Sequence, residues 1–332
     1  MRIFKRQSLT VACLALASFL AHARPSQAAT TWECYVYNPV ASQPSVEAVI
    51  KMADEIKEKT HGDLVINVHL GGSLPIKADG VTAGVQDGVI QFGDDGFATG
   101  TIPVTGTLRL PLLIQNETEM KKALEIVRPY LDAAYAKRGI EVLGEYYYPV
   151  QVIWGRKKIE SLADIKDLKL RVTSVEQGEF VRRFGGVALT MGSPDVAAAL
   201  DRGVVDGAFT ASSGGGIPWH DLLKYRYAFP TSWVNSTFIV NKDAMKALPD
   251  DTQKIVRDSA AKWAVWASEE MDRQEDTLTK QFGKDGMVLT DAKPDEIKEA
   301  TDKMRSYWDE WAKHHPADAV EALGKLRAAV GR

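Results

Sequence analysis

The N-terminal part of the chain alternates between apolar runs typical of strands and amphipathic patterns typical of helices. A β-type run over residues 32–37 precedes apolar residues at helical spacing over 46–56, and Gly62 separates this helix from an alternating strand over 64–68. Strand, helix and strand in this order predict a parallel sheet. The C-terminal ends of its strands would form the edge where ligands of open α/β sheets bind.

One pattern of helix, glycine, apolar strand and polar tip occurs twice at a constant offset, with Gly88 corresponding to Gly203. The offset brings the strand tip Asp94-Asp95 onto Phe209-Thr210. The repetition predicts two lobes of similar build with facing strand tips. A chance likeness between two common helix-to-strand junctions is the alternative.

A helical pattern from Asp250 to Gly283 is too long for one small lobe. At roughly 1.5 Å per residue it would reach about 50 Å, and it lacks the sustained heptad pattern of a coiled coil. It is therefore predicted to be an interface element or to cross both lobes. An amphipathic helix over 294–311 and a polar tail follow.

The first residues have the pattern of an export signal. Basic residues precede an apolar run over 9–21, and small residues follow at 26–28. This pattern predicts a cleaved signal peptide over 1–28 and a periplasmic location. Cys34 would then be the one remaining cysteine, and its apolar and aromatic neighbours predict a buried strand residue.

The charge and the motifs of the chain argue against several functions. The formal net charge is −3 at pH 7 and no basic stretch is present, so nucleic acid is not expected as a partner. The sequence has no nucleophile elbow, paired-cysteine motif, zinc-protease motif or phosphate-binding loop. We therefore expect no catalytic activity, no cofactor and no metal.

Three features are candidates for ligand contact. Arg171 ends the strand-like run 168–173, where its guanidinium could hold a carboxylate through two hydrogen bonds; an exposed sheet-edge arginine is the alternative. Asp94 and Asp95 could contact a ligand, although Asp-Gly after a strand also suits a turn. The glycine-rich run 212–216 could bind an anion through backbone N–H groups or form a loop without a ligand.

Two stretches carry a family resemblance that extends over nearly the whole chain after the signal. Residues 157–172, which contain Arg171, and residues 199–207 resemble motifs of the periplasmic substrate-binding proteins of tripartite ATP-independent (TRAP) transporters, DctP type. The resemblance implies an α/β, two-lobed periplasmic-binding-protein fold with mixed, mainly parallel sheets flanked by helices. A long helix would span both lobes.

The same resemblance implies interleaved domains. Lobe I would comprise residues 29–148 plus 236–275, and lobe II residues 149–235 plus 276–332. The protein would bind a small organic acid by hinge closure and deliver it to integral membrane TRAP-type permease subunits. Alternatives are the binding component of an ATP-driven (ABC) importer or a sensor kinase, and a periplasmic enzyme acting on an organic acid, with Asp94 or Asp95 as base.

The resemblance also suggests a ligand class. Arg171 matches the family arginine that holds the substrate carboxylate, whereas Gln151 stands where many members have an arginine or another polar residue, and Thr210 replaces a usual asparagine. Both changes weaken contacts to a second carboxylate, so a monocarboxylate is expected, namely a hydroxy, keto or aromatic acid. The aromatic candidates Trp154 and Trp233 could line the pocket or belong to the core. The other predicted ligand-binding residues are Tyr37, Ser73, Asp94, Asp95, Trp154, Thr173, Trp233 and Asn235.

Overall fold

A computed structural model describes residues 29–332, and the predicted signal peptide over 1–28 lies outside these described residues. The strands form one mixed sheet in the order β2-β1-β3-β8-β4-β7-β5-β6, with β9 paired to β8. They are β1 (Thr30–Val36), β2 (Leu64–His69), β3 (Phe92–Asp95), β4 (Ile140–Gly155), β5 (Lys169–Val172), β6 (Val187–Thr190), β7 (Gly207–Thr210), β8 (Tyr225–Asn241) and β9 (Val288–Asp291).

The helices cover both faces of the sheet. In residues 29–332, no helix has the length and apolar character needed to cross a bilayer. The helices are α1 (Pro44–Lys59), α2 (Val81–Gln86), α3 (Glu117–Ala136), α4 (Val175–Arg183), α5 (Ser193–Asp201), α6 (Ile217–Trp219), α7 (Lys242–Lys246), α8 (Asp250–Lys284), α9 (Pro294–Lys313) and α10 (Ala317–Val330).

The predicted N-terminal unit is confirmed. Strand β1 pairs in parallel with β2 and β3, and α1 connects β1 to β2. Cys34 is fully buried within β1. Strands β5 and β7 are likewise parallel to each other.

Two long antiparallel strands, β4 and β8, run through both parts of the sheet. We call β1–β3 with the adjoining ends of β4 and β8 the first lobe, and β5–β7 with the opposite ends the second lobe. The register of β4 against β8 shifts on both sides of Gln151, between Tyr148 and Ile153. The predicted crossings at 148/149 and 235/236 lie near these irregularities and stay a prediction.

Helix α8 is 35 residues long and touches both lobes. In the second lobe, Phe282 packs on Trp154, with 5.9 Å between ring centroids. Small side chains allow the close approach of α8 to β4, and a Cβ on Gly144 would lie 2.8 Å from the Ala264 Cβ. The predicted helix across both lobes is confirmed. Its buried residues near the first lobe include Val256, Ala260, Ala264, Ala267 and Met271.

The prediction of a polar tail after residue 311 is wrong, because residues 317–330 form helix α10. Its apolar residues recur every three or four positions and face α3 of the first lobe rather than the second. Arg332, just after the helix, pairs with Glu119 at the start of α3 at 2.6 Å. The C-terminal segment therefore packs on α3, and the predicted assignment of 276–332 to lobe II stays a prediction. The buried residues of α10 are Ala319, Ala322, Leu323 and Leu326.

Two glycines with opposite surroundings test this packing. Gly144→Ala should lower the free energy of unfolding by about 1–3 kcal/mol, because the new methyl group would overlap Ala264. Gly324→Ala, in α10, adds a methyl group that would have nothing within 4 Å, and it should raise this free energy by about 0.5–1 kcal/mol through helix propensity. Urea unfolding of each variant measures both, and equal effects of the two substitutions would contradict the packing described.

Candidate ligand-binding cavity between the two lobes

A narrow cavity lies between the lobes, where the strands of each lobe end. Its interior volume is about 30 Å³, well below the roughly 300–1,000 Å³ of ligand sites. A ligand larger than a water molecule therefore needs the walls of the cavity to move apart. The lining of the cavity comprises Tyr37, Asn38, Gln43, Gly96, Phe97, Tyr148, Gln151, Arg171, Thr173, Ser193, Thr210, Gly215, Trp219 and Val234.

Arg171 is the one charged residue among the described residues that line the cavity. It is only 3% exposed, at the C-terminal end of β5. Its Nε donates to the Met191 carbonyl at 2.9 Å and its Nη1 to the Phe209 carbonyl at 3.5 Å. Its guanidinium carbon lies 5.1 Å from the ring centroid of Trp219. Within residues 29–332 its hydrogen bonds thus reach neutral carbonyls only.

Burial dominates the electrostatics of Arg171. Burial and, to a smaller extent, the positive charge of Arg109 lower the pKa of the guanidinium to about 10. The group is still a cation at neutral pH. A cation held out of water among neutral carbonyls and an aromatic ring is suited to an incoming anion.

Two glutamines on the wall have their amide groups oriented by backbone carbonyls. Gln151 Nε2 donates to Pro149 at 2.8 Å, and Gln43 Nε2 donates to Gly214 at 2.9 Å. Because each nitrogen is used in this way, each side chain has its oxygen left to accept a hydrogen bond.

A group of hydroxyls forms the first-lobe side of the wall. Tyr37 and Tyr148 share a hydrogen bond of 2.9 Å, and Asn38 Nδ2 donates to the Tyr148 hydroxyl at 2.8 Å. A side chain on Gly96 would meet the Tyr37 ring at 2.4 Å. Glycine at this position therefore lets Tyr37 reach the cavity.

On the second-lobe side, both predicted threonines are held by local hydrogen bonds. Thr210 Oγ1 accepts from the Gly215 N–H at 2.8 Å, and Thr173 Oγ1 donates to Gln177 at 2.8 Å. Of the residues predicted from sequence, the structure brings to the cavity wall Tyr37, Gln151, Arg171, Thr173 and Thr210.

Asp94 and Asp95 are not on this wall but buried within the first lobe. Asp94 accepts from Tyr146 at 3.0 Å and from Ser236, while Asp95 accepts from Tyr135 at 3.1 Å. Both lie inside β3, between β1 and β8, so the chain reaches the cavity only after the strand ends. Burial raises the pKa of Asp94 to about 7 and that of Asp95 to about 6.

The other four predicted contacts also lie off the wall. Trp154 Nε1 donates to the Thr210 carbonyl at 3.1 Å from behind the wall, and Trp233 Nε1 donates to Ile114 at 3.0 Å. These tryptophans match the core alternative. Asn235 accepts from Arg109, and Ser73 is exposed with its hydroxyl on the Leu70 carbonyl. The four predicted residues concerned are Ser73, Trp154, Trp233 and Asn235.

Sequence reasoning missed Arg109, which supports the site from the first lobe. It is 1% exposed, and its Nη2 donates to the Gly96 carbonyl at 2.7 Å and to the Asn235 carbonyl at 2.5 Å. These bonds hold the segment after β3 against the cavity. Arg109 lies in an irregular 3-10 segment, where no periodic pattern marks it. Gln43 and Asn38 were also missed, since a single polar residue in a loop gives no signal.

The glycine-rich run 212–216 is a buried turn, and its backbone does hold an anion. That anion belongs to the protein. Glu275 of α8 accepts from the N–H groups of Ser212 and Ser213 at 2.9 and 2.8 Å. Of this run, Gly215 lies on the cavity wall. Neither sequence alternative, a ligand-binding nest or an unoccupied loop, included this internal ion.

The sequence profile of DctP, described as bacterial extracellular solute-binding protein family 7, matches residues 36–314. An uncharacterized protein of Haemophilus influenzae is 31% identical over 121 residues, which are 36% of this chain. The match spans only 35% of the length of that relative.

Solved structures match over most of the chain. DctP7 of Bordetella pertussis, an extracytoplasmic solute receptor binding pyroglutamic acid, is 28% identical with a TM-score of 0.82, covering 90% of this chain and 100% of that one. DctP6 of the same organism, also a receptor binding pyroglutamic acid, is 23% identical with a TM-score of 0.84, over the same shares of 90% and 100%. The two-lobed fold is thus shared.

The raised pKa of Asp94 predicts a pH-dependent contribution to stability. The pKa of Asp94 is about 7 in the folded state and near 4 in the unfolded state. The free energy of unfolding therefore falls as pH rises from 4 to 7. Asp94→Asn removes this loss, so the stability of the variant relative to wild type should rise by up to about 1.4 kcal/mol per pH unit in that range. Urea unfolding at pH 5 and pH 7 measures the difference.

Asp243→Asn, at a side chain that is 94% exposed, is the matched control for removing one negative charge. If the difference between Asp94→Asn and wild type is the same at both pH values, Asp94 does not titrate as its burial requires.

Proposed function

Because the chain belongs to the bacterial extracellular solute-binding protein family 7, we propose that it captures a small organic carboxylate in the cavity between its lobes. The observation that carries this proposal is the burial of Arg171 on the cavity wall with neutral partners only. The protein releases the ligand chemically unchanged, because the proposed role of the protein is binding and delivery.

Arg171 suits a carboxylate better than other anions of similar size. A planar guanidinium matches the two oxygens of a carboxylate through parallel hydrogen bonds. Its Nε is used by Met191 and one Nη1 hydrogen by Phe209, which leaves Nη2 and the second Nη1 hydrogen for the ligand. The neighbouring ring of Trp219 excludes water on one side, which strengthens the ion pair.

We further propose that the ligand is a monocarboxylate. A second carboxylate would find no second cation among the described lining residues. Gln151, which stands where many family members have an arginine, is neutral, and one of its two amide hydrogens is already used by the Pro149 carbonyl. The solved receptor that is 28% identical to this chain binds pyroglutamic acid, which is also a monocarboxylic acid.

Delivery is proposed by analogy with the family. The lobes close around the ligand in the periplasm, and integral membrane TRAP-type permease subunits then receive it. The residues at 148/149 and 235/236 are proposed as the crossings between lobes, with the segment 317–330 joined to the first lobe through α3. The enzymatic alternative relied on Asp94 or Asp95, and neither side chain lines the cavity.

A thermal-shift screen of organic acids tests the ligand class. Monocarboxylates, including hydroxy, keto and aromatic acids, should give the largest shifts, because a ligand at 100 times its Kd stabilises the folded state by about 2.7 kcal/mol. Sugars and amines without a carboxylate serve as controls and should give none. Succinate or malate as the tightest ligand would rule out the monocarboxylate proposal.

Replacement of Arg171 tests the site itself. Arg171→Ala should weaken binding of the best acid from the screen by about 30-fold to several thousand-fold, equivalent to about 2–5 kcal/mol, because the bound carboxylate loses its partner. Arg171→Lys keeps the charge but loses the two-point contact, so it should also bind poorly. Calorimetric titration at two salt concentrations, with circular dichroism as the check on folding, measures these effects.

Arg156→Ala is the matched control, since Arg156 is an exposed arginine just after β4. It should bind within about threefold of wild type, a difference under 1 kcal/mol. If Arg171→Ala binds as well as this control, the carboxylate is held elsewhere.

A further inference from the structure

Gln43 lies on the cavity wall, and the hydrogen bond that its amide group makes determines which branch is nitrogen and which is oxygen. The residue precedes α1 and is 2% exposed. Its Nε2 donates to the backbone carbonyl of Gly214 at 2.9 Å. A carbonyl oxygen can only accept, so the nitrogen of the amide must face Gly214 and the oxygen must lie on the other branch. The assignment of nitrogen and oxygen is thus not interchangeable here.

The oxygen of this amide is left without a partner. Gln43 Oε1 is buried and makes no hydrogen bond within residues 29–332. An acceptor that loses its hydrogen bonds to water on burial and gains no donor in return destabilises this arrangement of the two lobes. The wall therefore has two groups without a matching partner. The Arg171 cation lacks an anion, and the Gln43 oxygen lacks a hydrogen-bond donor.

The position of Gln43 depends on closure. Gln43 belongs to the first lobe and Gly214 to the second, and the two residues are 171 positions apart in the chain. The hydrogen bond between them exists only when the lobes approach. Closure thus turns the Gln43 oxygen into a fixed acceptor at the same time as it encloses the ligand.

We propose that the ligand carries a neutral N–H or O–H donor in addition to its carboxylate, and that Gln43 Oε1 accepts from this donor. This inference rests on the proposed function and narrows its ligand class to lactam and hydroxy acids. Gln43 is then a specificity-determining residue. A ligand with hydrocarbon or an ether oxygen at this place leaves the acceptor unpaired.

The donor is neutral rather than an ammonium group. No carboxylate is present among the described residues that line the cavity, so an ammonium would be enclosed without a counter-ion. Zwitterionic amino acids are excluded by the same reasoning. A lactam N–H or a hydroxyl needs only one acceptor, and Gln43 supplies one.

Two matched pairs of ligands test the inference by calorimetric titration. The first pair is pyroglutamate and its lactone analogue, 5-oxotetrahydrofuran-2-carboxylate, in which oxygen replaces the ring N–H. The second pair is lactate and propionate, which differ by one hydroxyl. In at least one pair the acid with the donor should bind about 10-fold to 100-fold more tightly, because the acid without it leaves the buried Gln43 oxygen unpaired.

Variants then assign the effect. Gln43→Met has a similar length and no hydrogen-bonding group, so it should reduce the ratio of affinities within the pair to about threefold or less. Gln281→Met, at an exposed glutamine of α8 that does not line the cavity, is the matched control and should leave the ratio near that of wild type. A change in the ratio is a readout that loss of the Gly214 contact alone would not produce, since that loss weakens both members of a pair equally.

The outcomes separate this inference from the function on which it rests. Wild-type protein that binds carboxylates but does not discriminate within either pair overturns the inference and leaves the carboxylate site standing. Discrimination that survives in Gln43→Met, or is lost to the same extent in Gln281→Met, overturns the assignment to Gln43. Absence of binding to every carboxylate would remove the proposed function itself.

Discussion

The antiparallel pairing of β4 with β8 connects the two parts of the sheet from Ile140 to Gly155 and from Tyr225 to Asn241. These two strands, 16 and 17 residues long, belong to both lobes, so one continuous ladder joins the two halves of the sheet. Its register breaks around Gln151, and the residues at this break, Tyr148 and Gln151, are also on the cavity wall. Because the irregular part of the ladder and the site coincide, a change in lobe orientation would act directly on the ligand contacts.

The charges near the cavity are separated by the lobes. The first lobe buries Asp94, Asp95 and Arg109, and each is held by hydrogen bonds from or to its own lobe or the adjoining part of β8. The second lobe provides Arg171, for which residues 29–332 supply only carbonyl partners. A ligand anion thus supplies the negative charge that the described residues do not place beside Arg171. It does so without disturbing the hydrogen bonds of Asp94, Asp95 and Arg109.

Many polar groups around the site are satisfied by the protein itself, and these make the wall rigid. Glu275 holds the turn that carries Gly215, and Arg109 holds the carbonyl of Gly96. Among the described residues that line the cavity, the unpaired oxygen of Gln43 and the carbonyl-bound cation of Arg171 differ from these satisfied groups. A well-ordered wall makes such unmet groups selective, since neither can relax towards another partner.

Features that depend on local patterns could be predicted from the sequence alone. The strand–helix–strand start, the helix from Asp250 to Lys284 and the position of Arg171 at the end of β5 follow from periodicity and from residue type at a strand end. The resemblance added the family and the two-lobed fold, which the profile match and the solved structures support. Three features are visible only in the folded protein: Asp94 and Asp95 lie in a buried network, residues 317–330 pack on α3, and Gln43 contacts Gly214. Each of these depends on contacts between distant segments, and a pattern of neighbouring residues carries no information about which segment will lie opposite.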